Sequence, residues 1–258
     1  MELDSISLEG RRALVTGGSR GLGRAIAERL AALGADLGVV GRDRAALEAT
    51  GAAVADLGRR CVVIEADLAT PAGARSAGER ALEHHERWDV LVNNAGIAVA
   101  APLLDVDFDD WDRVQAVNVK AALAVAQVLV PGMIERRSGK VVNVSSVGAF
   151  VGTPGLGAYA ASKAAMNQLT RTMAVEWGPY GIQVNAVCPT IVLTDMGREL
   201  WDDPARAEDR RQKEQRIPER RFGEPSEVAD AVAFLAGGAS AFINGVTLPL
   251  DGGMLAAP

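Results

Sequence analysis

Three residues in the second half of the chain have the types and spacing of a proton-transfer site: Ser146, Tyr159 and Lys163. If residues from about 157 to 177 form a helix, the i,i+4 spacing places the Tyr159 hydroxyl and the Lys163 ammonium on one face. A phenol has a pKa near ~10, so it needs a nearby cation to act as a general acid and base at neutral pH. Ser146 could hold a substrate oxygen beside this pair.

Most Tyr and Lys pairs at this spacing are solvated surface groups. The composition argues against that interpretation here, because only four of the 27 basic residues are lysines and the chain has only two tyrosines. A chance match of Tyr159 with Lys163 is therefore improbable.

A glycine-rich turn precedes the first predicted helix. Residues 12–16 are apolar and predict a short strand, and an alanine-rich helical pattern follows the glycines and ends at Gly34. A pyrophosphate fits such a turn, because the unpaired N–H groups and the dipole of a helix N-terminus favour an anion. A glycine turn can also merely reverse the chain, but its place between a strand and a helix favours nucleotide binding. The predicted cofactor-binding residues of this turn are Gly17, Ser19, Arg20, Gly21, Leu22 and Gly23.

The tip of the second predicted strand, residues 36–40, bears on the choice of cofactor. An acidic residue there would bind the ribose 2′-hydroxyl, whereas an arginine would accept a 2′-phosphate. Arg42 stands at this tip, and Asp43 is better explained as the cap of the next helix. Arg42 and Arg20 together favour NADP(H) over NAD(H).

Further candidates follow the third and fourth predicted strands, 61–65 and 89–92. Asp67 could accept a hydrogen bond from the adenine amino group or cap the helix that begins near Pro71. Small residues after the fourth strand would let the backbone lie against a flat ring. The predicted cofactor-binding residues here are Asp67, Leu68, Asn94, Ala95 and Gly96.

A long apolar helix is predicted from about Asp109 to Val130, with Pro131 and Gly132 at its end. Asn118 lies among its apolar residues, which indicates an amide with a specific hydrogen-bond partner. The next strand, residues 140–144, delivers Ser146 at its carboxyl end, where open α/β sheets bind their ligands.

The bulk composition sets limits on the class of protein. A chain of 258 residues fits one α/β domain. Its net charge of −6 disfavours a nucleic-acid partner. We find no run of 18 apolar residues and no basic, apolar leader, so we expect a cytoplasmic protein that does not span a membrane.

The cysteines and histidines offer little chemistry. Cys61 and Cys188 lie in apolar runs and are predicted to be buried thiols rather than a disulfide. The only histidines, His84 and His85, occupy a charged stretch. A histidine-based triad and a metal site are therefore discarded.

Residues 191–225 interrupt the alternation of strands and helices and carry dense charge. This segment could be an exposed, charge-rich helix. It could also be a lid over the substrate, because a long excursion beside the active edge of an α/β domain often is one. Both descriptions can hold together.

Taken in order, these motifs resemble the short-chain dehydrogenases/reductases from about Leu8 to Gly253. The residues that carry the resemblance are Thr16 to Gly23, Asn93 to Gly96, Asn118, Ser146, Tyr159 and Lys163. The resemblance implies an α/β, Rossmann-type, doubly wound sheet of seven parallel strands in a single domain, and a homotetramer.

The resemblance also implies roles for individual residues. Tyr159 would be the proton donor and acceptor, and Lys163 would lower its pKa and hold the nicotinamide ribose. Ser146 would orient the substrate carbonyl, and Asn118 would position a water in the proton relay. Further predicted cofactor contacts are Pro189, Ile191 and Thr194.

Residues 189–197 and 201–204 resemble the L-xylulose reductase (dicarbonyl/carbonyl reductase) branch of that family. That branch uses NADPH and reduces ketoses and small dicarbonyls. The expected substrate is therefore a small-molecule ketone or secondary alcohol of the ketose, polyol or dicarbonyl type, although the loop 147–156 is less polar than a sugar would suggest.

Three alternatives remain open. The apolar loop would suit a 3-oxoacyl-thioester reductase. A non-catalytic dinucleotide-binding regulator could share the fold, since fold alone does not give function. A methyltransferase also has a glycine-rich first loop, but it has no use for Tyr159 and Lys163.

Overall fold

A seven-stranded parallel sheet runs through the centre of the structure, a computed structural model that describes residues 6–257 apart from the side chain of Met196. The strand order is β3-β2-β1-β4-β5-β6-β7. The first three strands are added towards one side of the sheet and the last four towards the other, so the order reverses between the neighbours β1 and β4. The strands are β1 (Arg12–Thr16), β2 (Asp36–Gly41), β3 (Cys61–Glu65), β4 (Val90–Asn93), β5 (Gly139–Val144), β6 (Ile182–Pro189) and β7 (Thr247–Leu250). The predicted fold class is confirmed.

The strands are nearly continuous apolar runs because helices cover both faces of the sheet. Leu14 in β1, which pairs with Gly38 on one side and Leu91 on the other, is fully buried. Gly38 has no room for a side chain, since a Cβ there would lie 2.6 Å from the Trp88 ring.

The helices form two layers. Helices α1, α2 and α9 pack on one face around Ile26, Leu47 and Val232, whereas α3, α5 and α6 pack on the other around Val125 and Met173. Their bounds are α1 (Gly21–Ala32), α2 (Arg44–Asp56), α3 (Pro71–His84), α4 (Phe108–Gln115), α5 (Ala121–Glu135), α6 (Gly157–Trp177), α7 (Asp195–Trp201), α8 (Ala207–Gln215) and α9 (Pro225–Ala236).

Helices α4 and α5 are joined by a π-helical segment, Ala116–Lys120, into one helical stretch. The prediction that Pro131 and Gly132 end this helix is wrong, because α5 continues through Pro131 to Glu135. The last turn is held by packing, since Met133 is fully buried. The stabilisation from this burial exceeds the cost of the backbone hydrogen bond that Pro131 cannot make.

By length and composition the stretch Phe108–Glu135 could cross a membrane, although 44% of its most apolar window is buried within this one chain. The core helix of a soluble protein meets the same criterion, and α5 contributes Val125 and Leu129 to the core. Packing against the sheet explains the apolar composition of this helix.

Residues 191–225 contain α7, α8 and a small apolar cluster, which we call the Phe222 cluster. Leu193, Ile217 and Phe222 are buried there, and the Trp201 ring meets the Phe222 ring edge-on at 5.3 Å between centroids. This segment is thus an ordered unit beside the main core, and its action as a lid stays a prediction.

Candidate active site

Helix α6 carries the central pair of side chains and has the predicted bounds, Gly157–Trp177. The Lys163 Nζ atom lies 5.6 Å from the centre of the Tyr159 ring, as the i,i+4 spacing requires. Lys163 is only 4% exposed, and its ammonium donates a hydrogen bond to the Val144 carbonyl oxygen at 2.8 Å. The lysine is thereby held between the helix and β5.

Ser146 follows β5 and faces Tyr159. Its Oγ accepts a hydrogen bond from the Gly148 N–H at 3.1 Å and reaches the Pro189 carbonyl oxygen at 3.4 Å. A hydrogen bond between the Ser146 and Tyr159 side chains acts to lower the tyrosine pKa. The two hydroxyls can therefore share one substrate oxygen.

Burial controls the electrostatics of this pair. It raises the pKa of Tyr159, although the hydrogen bond from Ser146 opposes that rise, and it lowers the pKa of Lys163 to about 8. The resemblance implies that Lys163 lowers the tyrosine pKa, but in the protein alone the loss of water around Tyr159 has the larger effect on that pKa. Both shifts favour the neutral forms of the two groups.

Asn118 lies in the π-helical segment and is 1% exposed. Its Oδ1 accepts from the Ile97 N–H at 2.8 Å, and its Nδ2 donates to the Ile97 carbonyl oxygen and to the Ser162 Oγ, both at 2.9 Å. The expectation of an amide with a specific partner is confirmed. The amide ties the loop after β4 to α6, between Tyr159 and Lys163.

The glycine turn has the shape of a phosphate cradle. Gly17 has a φ of +66°, and a Cβ on it would lie 2.9 Å from the Ala95 Cα atom. A Cβ on Gly23 would lie 2.0 Å from the Gly17 carbonyl oxygen. Arg20, the N-cap residue of α1, makes no side-chain cap bond in the described structure, so the first N–H groups of the helix are left to bind an anion.

A cleft of about 720 Å³ joins this turn to Ser146, Tyr159 and Lys163 along the carboxyl edge of the sheet. It lies at the point where the strand order reverses, which is where open α/β sheets bind ligands. The other predicted residues that line it are Gly17, Ser19, Arg20, Leu22, Gly23, Arg42, Asp67, Leu68, Asn94, Ala95, Gly96, Pro189 and Thr194.

Two predicted cofactor contacts do not line the cleft. Gly21, with a φ of +56°, forms the first residue of α1 beside Thr194. Ile191 packs instead against the Phe222 cluster, because the chain turns away from the sheet after β6. Two residues that were not predicted, Arg113 and Val117, also line the cleft. Their i,i+4 spacing just before Asn118 could have indicated this position.

Two acidic residues near the cleft have defined local roles. The Asp43 carboxylate caps α2 by accepting from the Ala46 N–H at 3.0 Å, as predicted. The Asp67 carboxylate accepts from the Ala69 N–H, whereas Thr70 caps α3. The alternative in which Asp67 caps that helix is therefore wrong, and its carboxylate lines the cleft.

Arg20 and Arg42 are exposed at the other end of the cleft from Tyr159. Within residues 6–257 neither guanidinium forms an ion pair with a carboxylate. Both are thus available to an anionic ligand. No group of three or more metal-ligating side chains occurs among the described residues.

Comparison with known proteins identifies the family to which the chain belongs. The family model described as enoyl-(acyl carrier protein) reductase matches residues 17–255. L-xylulose reductase of Bos taurus is 40% identical over 97% of this chain and 99% of its own length.

Two solved structures are also similar. A gluconate 5-dehydrogenase from Burkholderia cenocepacia J2315, in complex with NADP and tartrate, is 37% identical with a TM-score of 0.92, covering 99% of each chain. An NAD+-bound xylitol dehydrogenase is 32% identical with a TM-score of 0.89, covering 95% of this chain and 99% of its own. With its cleft, its glycine turn and its Ser, Tyr and Lys side chains, the chain belongs to the short-chain dehydrogenases/reductases and is an NAD(P)-dependent oxidoreductase that acts on CH–OH groups.

Proposed function

We propose that this protein is an NADP(H)-dependent reductase and dehydrogenase of small neutral ketones and secondary alcohols, of the ketose, polyol or dicarbonyl type. The observation that carries the proposal is the meeting of Ser146, Tyr159 and Lys163 at one end of a cleft whose other end holds the glycine turn and two unpaired arginines. The names of its relatives, which include reductases and dehydrogenases of sugars and polyols, support the substrate class.

The residues of the cleft fit a dinucleotide. The glycine turn leaves no room for side chains beneath a pyrophosphate, and the N-terminus of α1 offers it N–H groups. The open space in front of Asn94, Ala95 and Gly96 would hold the middle of the cofactor, and Lys163 would hold the nicotinamide ribose. When bound, the nicotinamide supplies or accepts the hydride.

The protein's own residues handle the substrate oxygen and its proton. Ser146 and Tyr159 hold the oxygen. The Tyr159 hydroxyl donates a proton to it in reduction, and the Tyr159 phenolate removes that proton in oxidation. Charge that develops on that oxygen is stabilised by both hydroxyls and by the Lys163 cation behind them. Asn118 would position a water that carries protons to solvent.

The preference for NADP(H) rests on Arg20 and Arg42. A 2′-phosphate needs cationic donors that are not already paired, and both arginines meet that condition within the described chain. Of the two solved relatives described above, one contains NADP and the other contains NAD+, so the family alone leaves the choice open. Replacing Arg42 by Ala should weaken NADPH binding and spare NADH.

The preference for a neutral substrate rests on the wall of the cleft near Ser146. Val99, Thr190 and Val192 form this wall. Apart from Arg20 and Arg42 at the far end, the cations among the described lining residues are Lys163, which is already bound to a carbonyl oxygen, and Arg113, which is paired with Asp110. A carboxylate-bearing substrate would meet no free cation at that end.

The experiment that tests the proposal measures initial rates with NADPH and with NADH against L-xylulose, other ketoses, diacetyl and a 3-oxoacyl thioester. We expect turnover with NADPH and a ketose or dicarbonyl. Turnover of the thioester alone would favour the 3-oxoacyl-thioester reductase, a second candidate that the apolar loop 147–156 supports. Binding of NADPH with no turnover of any compound would favour a non-catalytic regulator.

We also propose a homotetramer in the cytoplasm. Large apolar side chains such as Val175 on α6, 76% exposed, and Phe242, fully exposed, would be covered by other copies of the chain. Both cysteines are free thiols, as expected in a reducing compartment. Light scattering after gel filtration tests the subunit number, and a monomer would contradict it.

Residues 191–225 are proposed to be the substrate lid. Val192 and Thr194, at the start of this segment, line the cleft, while the Phe222 cluster keeps the rest of it together as a separate unit. Protection of this segment from limited proteolysis when cofactor and substrate are added would support the lid, whereas unchanged cleavage would contradict it.

A further inference from the structure

A second cavity, of about 400 Å³, adjoins the main cleft at the carboxyl ends of β2 and β3. Arg42, Ala66 and Asp67 line both spaces, so the second cavity opens from the end of the cleft that is proposed for the adenosine. Its remaining lining residues are Glu65 and Arg80. Arg80 belongs to neither the glycine turn nor the tip of β2, and the proposed function gives it no role.

Arg80 reaches this cavity from α3, on the face of the sheet opposite to α2. Its Nη1 atom donates a hydrogen bond to the Glu65 carbonyl oxygen at the end of β3, at 2.5 Å, and this bond fixes the guanidinium across the strand end. Within residues 6–257 the side chain forms no ion pair with a carboxylate. Its other N–H groups are therefore free to bind a ligand in the cavity.

The charges that face the cavity explain why a second arginine is needed. Glu65 and Asp67 bring two carboxylates to it, and only Arg42 and Arg80 oppose them. Without Arg80 the lining would carry a net charge of −1 and would repel a phosphate, even though Arg42 is present. A phosphate also binds best to several charge-assisted donors that converge from different elements.

We infer that Arg80 joins Arg42 at this second cavity, and Arg20 in the adjoining main cleft, in holding the 2′-phosphate of NADP(H), so that Arg80 is a specificity-determining residue for the cofactor. The inference rests on the proposed preference for NADP(H). Arg42 approaches from the tip of β2, and Arg80 approaches from α3 with its guanidinium held by the Glu65 carbonyl oxygen.

The test uses two fragments that bind only at the adenosine end and need no turnover: adenosine 2′,5′-bisphosphate and adenosine 5′-monophosphate. Their dissociation constants are measured by calorimetry for the full chain and for the Arg80→Gln variant. We expect Arg80→Gln to weaken the bisphosphate about tenfold, as the loss of a charge-assisted bond of ~1.4 kcal/mol would do. The monophosphate, which lacks the 2′-phosphate, should change less than about twofold.

Arg75→Gln is the matched control. Arg75 lies on the same helix, but its guanidinium donates to the Gln127 side chain at 3.2 Å and does not line the cavity. Its replacement should leave both dissociation constants unchanged. Arg80→Lys keeps the charge but loses the fork of donors, so it should recover part of the affinity for the bisphosphate.

Three outcomes overturn the inference. Equal weakening of both fragments by Arg80→Gln would show a general effect on the adenosine site. An unchanged preference for the bisphosphate in Arg80→Gln, together with its loss in Arg42→Ala, would refute the role of Arg80 and leave the NADP(H) proposal standing. Absence of any preference in the unmodified protein would refute both proposals.

Discussion

Charged side chains are paired at one end of the parallel strands and unpaired at the other. We call the end where the strands begin the amino edge of the sheet and the end where they finish the carboxyl edge. At the amino edge, Asp36 accepts from Arg60 at 2.7 Å, and Asp89 accepts from Arg87 at 2.6 Å and from the Arg12 N–H at 3.0 Å. Both carboxylates are buried, and each is matched by a cation. At the carboxyl edge, Arg20, Arg42 and Lys163 have no carboxylate partner in the described chain, and Lys163 is buried as well.

The paired charges at the amino edge serve stability, whereas the unpaired cations at the carboxyl edge serve function. Buried charges that are paired and hydrogen-bonded hold the starts of β2 and β4 in place. Unpaired cations and glycine turns at the other edge contribute little to folding, but they are free to bind a ligand. Loss of the paired carboxylates at the amino edge should therefore lower the free energy of unfolding, whereas substitutions at the carboxyl edge should reduce turnover or binding without lowering that free energy.

The largest effect is expected for Tyr159→Phe, which removes only the hydroxyl at the carboxyl edge. Turnover should fall by about 10³-fold, because the reaction loses its general acid and base. Cofactor affinity and the free energy of unfolding should stay close to those of the unmodified protein. Steady-state kinetics and a urea titration measure both, and retained turnover would contradict the role of Tyr159.

Asp89→Ala tests the amino edge. It should lower the free energy of unfolding by about 3 kcal/mol, because buried donors and arginines placed around this carboxylate lose their partner. Turnover of the folded fraction should not change. The control is Glu48→Ala, which breaks an exposed pair with Arg44 and should cost at most about 0.5 kcal/mol. Equal losses in the two variants would contradict the comparison.

Lys163→Met should abolish turnover and yet stabilise the protein without cofactor, by about 2 kcal/mol at neutral pH. Burial lowers the pKa of Lys163 from 10.5 to about 8, so the folded state carries a desolvated ammonium below that pH. Above it the folded protein loses this proton before the unfolded chain does. The stability of the unmodified protein should thus rise relative to the variant between about pH 8 and 10.

Urea titrations at several pH values measure this difference. The exposed Lys120 provides the control, since Lys120→Met should shift stability by less than about 0.5 kcal/mol at each pH. A Lys163→Met variant that is destabilised at neutral pH would show that the ammonium is a structural partner of Val144 rather than a strained functional group.

The smallest effect is expected for Arg137→Gly at the amino edge, just before β5. Arg137 has a φ of +52°, in the left-handed region that glycine adopts without strain. The exchange should stabilise the protein by about 0.5 kcal/mol. This is less than the backbone strain that is removed, because the hydrogen bond from Arg137 to the Pro179 carbonyl oxygen is lost. The neighbouring Arg136 has a φ of −83°, so Arg136→Gly should destabilise the protein. If both variants changed the free energy of unfolding in the same direction, this explanation would be contradicted.

Much of the fold could be predicted from the sequence, because its signals are local. The first five strands begin and end within one residue of their predicted positions, and α6 has the bounds expected for it. The end of α5 could not be predicted from Pro131, since the burial of Met133 depends on the sheet beneath it. Ile191 was misplaced for a similar reason, because its contacts with the Phe222 cluster join distant parts of the segment.

Sequence patterns alone specify the fold class and the chemical groups of the site. Glycine spacing, strand-length apolar runs and an i,i+4 pair are short-range patterns that a few neighbouring residues specify. The directions in which the pKa values of Tyr159 and Lys163 shift depend on the folded chain, because desolvation comes from residues of β5 and β6 that pack over α6. Only the tertiary structure brought Arg80 to Arg42, since strands of a parallel sheet bring together residues that the chain keeps far apart.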